Sequence, residues 1–152
     1  LAGKQKYKPM PIFQLIYRSK ANFFLSDNDL ITLLRQAREN NAEKNITGLL
    51  LYGHGNFIQL LEGNEEYVRD LFYTRISKDK RHRNVVVLHQ AHAPERQFKN
   101  WSMAFHALNL ERVRNLKGYL EPQKQSDDGK DLLAPLRLLE LMQGFSLTMH
   151  GR

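Results

Sequence analysis

Two apolar stretches, ITGLLLY (46–52) and FIQLLEG (57–63), stand on either side of GHGN (53–56). A glycine-bearing turn between two strand-length runs specifies a β-hairpin. Both runs carry apolar residues on both faces, so the hairpin belongs at the centre of a sheet covered on two sides. One residue breaks the pattern. Phe57, Gln59 and Leu61 share one face under strand alternation, and Ile58 and Leu60 share the other. Gln59 brings two donors and a carbonyl acceptor to that interior. Left unpaired there, such groups cost roughly 1–3 kcal/mol. Gln59 needs partners.

The flanking sequence supplies the rest of the sheet. PIFQLIY (11–17) alternates Phe13, Leu15 and Tyr17 against Ile12, Gln14 and Ile16, a strand signal. SDNDLITLLRQARENN (26–41) opens with Ser26 and Asp29 at capping-box spacing. Leu30, Leu33, Leu34 and Ala37 then recur at helical spacing. EEYVRDLFYTRISKD (65–79) reads as a second amphipathic helix, and VVVLH (85–89) and WSMAFHA (101–107) as two further strands. The order β-α-β-β-α-β-β is ferredoxin-like with an added strand, an α+β fold with both helices on one face of the sheet. SDDGK (126–130) separates two expected short helices, about 110–119 and 130–143, which would form a C-terminal helical cap. The expected division is a disordered lead at 1–10, a domain at 11–108 and a helical extension at 109–152.

At 152 residues, 41% hydrophobic and 26% charged, the chain suits one globular domain with an appendage. No run approaches the roughly 20 apolar residues of a membrane span. The start, LAGKQKYKPMP, lacks the apolar core of a signal peptide. With no cysteine, thiolate zinc sites, disulfides and cysteine nucleophiles are all excluded. A cytoplasmic location is compatible with that. The net charge of +7 leaves an anionic partner in play, whether nucleic acid, a membrane face or a phosphate-bearing cofactor; a plainly solvated basic surface explains it equally well.

Asn41 falls seven residues after Leu34 and eleven after Leu30, on the buried stripe of the first helix. Asn40 stands beside it. Either asparagine alone could be a helix C-terminal cap. Together with Gln59 and Tyr17 they put four neutral polar groups toward one interior, which suits a planar, uncharged ligand with several donors and acceptors. Arg75, Asp79, Arg81 and His82 form a charge run after the second helix, which taken alone reads as solvated. His89 and His92, three apart on an extended segment, fall on opposite faces and make a poor metal pair. No phosphate loop, paired-histidine zinc motif or nucleophile elbow is present.

LIYRSKA (15–21), ARENNAEKNITGLLLYGHGNFIQLLEG (37–63), DKRH (79–82) and RQFKNWSM (96–103), in that order, resemble the BLUF domain, a flavin-binding blue-light sensor. The resemblance spans about residues 12–107. It implies noncovalent FAD, with FMN or riboflavin as possible substitutes, lying between the two helices beside the sheet. It implies that Tyr17 is the light-active tyrosine, Gln59 the switching glutamine, and Trp101 and Met103 the switch pair on the last strand. Asn40, Asn41, Gln59, Arg75, Ile76, Asp79, Arg81 and His82 would contact the cofactor. In the family, blue light drives electron and proton transfer from the tyrosine to the flavin. The glutamine is left rotated or tautomerised after recombination. The absence of cysteine excludes the cysteinyl–flavin adduct of LOV domains, the other common small flavin photosensor. Between Gly63 and Ile76 the chain is one residue longer than the family spacing. That excess turns Arg75 and Ile76 by roughly 100° around an ideal helix, unless a π-bulge near LFYT absorbs it.

The resemblance also implies a photosensor that is not itself an enzyme. About 45 residues follow position 108, too few for a cyclase or phosphodiesterase domain. Output would then pass through the C-terminal helices, with LLAPLRLLELMQGF (132–145), to a downstream signalling protein; a homo-oligomer stays open. The competing reading is an RNA-binding module on the same fold, although the RRM signature with its exposed sheet aromatics is missing. An acylphosphatase-type hydrolase lacks its arginine-bearing loop after the first strand.

Overall fold

The computed structural model describes residues 11–100 and 102–107. Trp101 and the expected C-terminal helices lie outside the described residues. Strands β1 (Ile12–Ala21), β2 (Thr47–Gly53), β3 (Asn56–Gly63), β4 (His82–Ala93) and β5 (Ala104–Ala107) form one sheet in the order β4-β1-β3-β2-β5. Helices α1 (Asp27–Glu43) and α2 (Glu65–Asp70, continuing as a π-helix over Leu71–Ile76) complete the domain. All pairings are antiparallel except β5, which joins β2 in parallel. This is the ferredoxin-like α+β arrangement.

The hairpin is made as its sequence requires. His54 and Gly55 are its two turn residues, both at positive φ (51° and 76°). Two such residues make the turn whose twist matches the flanking strands, and Gly55 carries no Cβ to oppose it. In β2, a Cβ on Gly48 would fall 1.9 Å from the Leu60 carbonyl oxygen. Alternation then splits the core. Phe13, Leu15, Tyr17, Leu50, Phe57 and Leu61 face Leu30, Leu34, Val68 and Phe72 of the helices. Ile16, Leu49, Leu51, Ile58 and Leu60 face the other way, where Phe98 packs on them. An RNA-binding sheet would need exposed aromatics; Phe13, Tyr17, Phe57 and Phe105 are all buried.

The helices obey their local signals with two departures. Ser26 and Asp29 exchange capping-box bonds at 3.1 and 3.0 Å. However, α1 does not stop at the asparagines. It runs to Glu43 with Lys44 as C-cap, and Asn45 takes the left-handed conformation beyond it (φ 52°), so neither Asn40 nor Asn41 is the cap. The second helix ends at Ile76, not 79, because its last turns are π: Ser77 N–H reaches back five residues to the Phe72 carbonyl at 2.8 Å. The π turn that the sequence allows near LFYT is present and extends over Leu71–Ile76.

The strand limits also differ. β1 continues through Arg18-Ser19-Lys20 to Ala21, and β4 spans His82–Ala93 instead of 85–89. β4 is an outer strand, and an edge accepts the polar residues that read as loop. The last strand begins at Ala104, after a bend at Ser102 and Met103.

On the face away from the helices, Glu62 is fully buried. Its carboxylate accepts from the backbone N–H groups of Gln97 (2.8 Å) and Phe98 (2.9 Å) and from Gln14 Nε2 (2.9 Å). It therefore pins the segment that carries Phe98 onto the sheet. Glu62→Ala orphans those donors and should lower unfolding stability by about 3 kcal/mol. Glu62→Gln keeps one acceptor oxygen and should cost about half as much. Urea unfolding of the three proteins measures both.

Candidate functional site

Strand register brings the central pair together. Tyr17 and Gln59 are directly opposed across β1 and β3, and both point to the helix-covered face, where each is buried. The Tyr17 hydroxyl donates to Gln59 Oε1. Gln59 Nε2 donates in turn to Met103 Sδ at 3.5 Å. Gln59 also opposes Leu50 on β2, and Leu50 opposes Phe105 on β5. The row Tyr17–Gln59–Leu50–Phe105 thus crosses the sheet.

Above this row the helices leave a cleft that opens to solvent. Tyr17, Leu50, Phe57 and Gln59 line its sheet side. Leu33, Gln36, Ala37, Asn40 and Asn41 line it from α1, and Leu71, Arg75 and Ile76 from the π segment of α2. Asp79, Arg81 and His82 close the remaining wall. Every residue expected to contact a cofactor therefore lines one cleft. Met103 does not line it; it packs in the core cluster with Tyr17, Leu50 and Phe57, and its sulfur takes the Gln59 amide.

The walls are internally tied. Arg81 Nη2 holds Asp79 Oδ2 at 2.6 Å, and its Nη1 reaches Gln36 Oε1 at 2.9 Å, linking the loop to α1. His82 Nε2 donates to the Ile76 carbonyl at 2.6 Å, while its Nδ1 shares a 2.7 Å bond with the Ser19 hydroxyl. Asn41 is buried and donates to the Ser102 carbonyl at 2.8 Å. Asn40 is exposed at the mouth, as is Arg75. Among the described residues no group of His, Asp and Glu is placed to hold a metal, and His92 instead pairs with Glu65 at 2.8 Å.

The sequence reading missed Leu33, Gln36, Ala37, Leu50, Phe57 and Leu71 as cleft residues. A signal existed in part. Leu33 and Ala37 belong to the apolar stripe of α1 yet stay half-buried, whereas Leu30 and Leu34 are covered. An apolar stripe only half covered by protein leaves room for a flat apolar body.

Electrostatics keeps the central phenol neutral. Burial pushes the Tyr17 pKa well above the usual tyrosine range, and the Asp79 carboxylate pushes it further; Arg81 opposes them. Arg81 holds the Asp79 carboxyl below its ordinary value.

The sheet, its two helices and the cleft between them define a cofactor-binding domain of the ferredoxin-like class. Residues 12–104 match the family described as sensors of blue-light using FAD. The chain belongs to that family, the BLUF domains. It is 40% identical over 90 residues to photoactivated adenylate cyclase subunit beta of Euglena gracilis, covering 59% of this chain and 10% of that protein. It is 36% identical over 96 residues to the blue light- and temperature-regulated antirepressor BluF of Escherichia coli, covering 63% and 24%. The chain thus spans a tenth to a quarter of these relatives. The solved dark-state structure of BlrB, a BLUF protein, superposes with a TM-score of 0.63 at 28% identity, covering 85% of this chain and 95% of that one. The cofactor of this family is a flavin, and the donor set fits one: neutral amides and a phenol at the floor, half-covered Leu33 and Ala37 beside them, and cations at the mouth. Among the described residues no helix is long and apolar enough to cross a membrane.

The raised Tyr17 pKa has a pH signature. Above about pH 10 the unfolded chain loses this phenolic proton while the folded chain keeps it. Folded stability then falls by up to about 1.4 kcal/mol per pH unit from this group. Tyr17→Phe should show a shallower decline than wild type between about pH 10 and 11, measured by urea unfolding at each pH.

Proposed function

We propose that this chain is a blue-light photoreceptor whose output is a rearranged hydrogen-bond network, with no chemical product. One observation carries the reading: buried Tyr17 donates to the Gln59 carbonyl while the Gln59 amide is directed at Met103. A bound FAD, with FMN or riboflavin as possible substitutes, would supply a ring that absorbs blue light and accepts an electron. Asn40, Asn41 and Gln59 would hold its polar edge, with Arg75, Ile76, Asp79, Arg81 and His82 around it.

Tyr17 is the donor of both electron and proton. Burial keeps the phenol protonated, and its hydroxyl donates to Gln59, so with flavin bound the amide would offer the path for the proton while the electron passed to the ring. When both come back to Tyr17, Gln59 is left rotated or tautomerised. Its amide is asymmetric, donor at one end and acceptor at the other, so rotation exchanges what it offers: the Tyr17 oxygen can accept from Nε2, while the acceptor-only Met103 sulfur loses its donor. In a buried, low-dielectric site that makes a bistable element. Met103 reads the change because its sulfur is bonded in only one arrangement. Trp101, outside the described residues, is proposed with Met103 as the switch pair.

The domain proper is then 11–108, with 1–10 a lead and 109–152 the output extension. The chain is proposed to act in the cytoplasm without catalysis of its own, signalling to a partner protein. What supports a sensing role is that relatives matched over this domain carry different outputs in their names, one a cyclase subunit and another an antirepressor.

The purified protein should be yellow, release its flavin on denaturation, and show a reversible absorption red shift under blue light. Gln59→Leu preserves volume roughly and removes every hydrogen bond; it should keep the flavin and lose the shift. Tyr17→Phe should likewise bind flavin but lose the productive photocycle. Full red shifts in both variants would sink the assignment.

A further inference from the structure

Among the described residues β5 is four residues long, stands at an edge of the sheet and pairs in parallel with β2. Parallel pairing is slightly weaker per residue than antiparallel. Its entry is held from α1 by side chains. Asn41 takes the Ser102 carbonyl. Arg38 puts two donors on the next one, Nε and Nη2 reaching the Met103 oxygen at 3.1 and 2.9 Å. The same guanidinium stands 5.8 Å from the centre of the Phe105 ring.

Arg38 does not line the flavin cleft, so cofactor binding does not account for it. Nor is it a solvated surface cation. It is half-buried, and burial pulls its pKa below the ordinary arginine value. Desolvating a guanidinium is unfavourable unless its donors are used. Here two of them are used on one backbone oxygen.

Met103 consequently has two independent anchors. Its sulfur accepts from Gln59, and its carbonyl accepts from Arg38. A rotation of Gln59 breaks the first and leaves the second untouched. We propose that Arg38 is a positioning residue of the photocycle: its fork on the Met103 carbonyl holds the main chain at the start of β5 while the side chain moves. The sulfur then stays within reach of Gln59, and the dark arrangement re-forms quickly. This role rests on the photoreceptor reading above.

The test uses the flavin-loaded full chain as wild type, Arg38→Met and Arg38→Lys. Two quantities are followed: dark recovery of the red-shifted absorption after blue light, and amide hydrogen exchange of residues 104–107 in the dark. Arg38→Met keeps an apolar stem beside Phe105 and removes every donor. It should retain the size of the red shift, recover about tenfold more slowly, and exchange faster in β5. Arg38→Lys keeps the charge and one reachable donor, and should bring both quantities back toward wild type. Wild-type recovery and exchange in a folded Arg38→Met overturn the proposal, as does slowing of equal size in Arg38→Lys, which marks a merely structural residue. If Arg38→Met does not fold, Arg38→Gln decides: slower recovery supports the role and wild-type recovery overturns it. A wild-type protein with bound flavin and no red shift overturns the photoreceptor reading itself, an outcome distinct from all of these.

Discussion

A glutamine amide buried between two strands must find partners of opposite character at its two ends, and here they are a phenol and a thioether. Tyr17 can donate to Gln59, and the sulfur of Met103 can accept from it. That chain of three side chains fixes more than a local bond. It needs β1 and β3 in the register that opposes Tyr17 to Gln59, and β5 close enough to bring Met103 beneath α1. It also needs a covered sheet face, because water would satisfy the amide in any orientation and erase the distinction between its two arrangements.

As a proposed switch, this arrangement draws its suitability from its modest energy. A thioether is a weak acceptor, so the Gln59–Met103 bond is a small barrier to rotation compared with a bond to a carbonyl. The surrounding walls are tied far more firmly. Arg81 is clamped to Asp79 and Gln36, His82 is held at both ring nitrogens, and Glu62 pins the opposite face with three donors. A rigid frame around one weakly held side chain confines the change to that side chain and to whatever touches it. Met103 is the contact that leads out of the site, at the entry to β5.

Much of this was legible in the residues. Gln59, Tyr17 and Asn41 stand out because each is polar at a position whose periodic neighbours are apolar, and all three are buried as that placement demands. The hairpin and the capping box follow from local chemistry alone. The π-helix was readable only against the family spacing, as one residue too many between Gly63 and Ile76. Other features left no such mark. Gln36 and Arg38 look like ordinary solvated helix residues until the loop at Arg81 and the start of β5 arrive from distant sequence. Leu50 and Phe57 look like core because they are core on one side and cleft on the other. β4 was read short because polar residues on an edge strand mimic a loop. Residue character alone called for a flat neutral ligand; the identification of that ligand as a flavin came from resemblance.

On the proposed mechanism, light changes what the Met103 sulfur is bonded to. Labelling the methionine methyl groups with carbon-13 reports this directly, since the chain has only four methionines and Met103→Leu identifies the resonance. The Met103 methyl signal should move under blue light, revert with the absorption in the dark, and stay fixed in Tyr17→Phe. A Met103 signal that does not move while wild-type protein shows its full red shift would contradict the account.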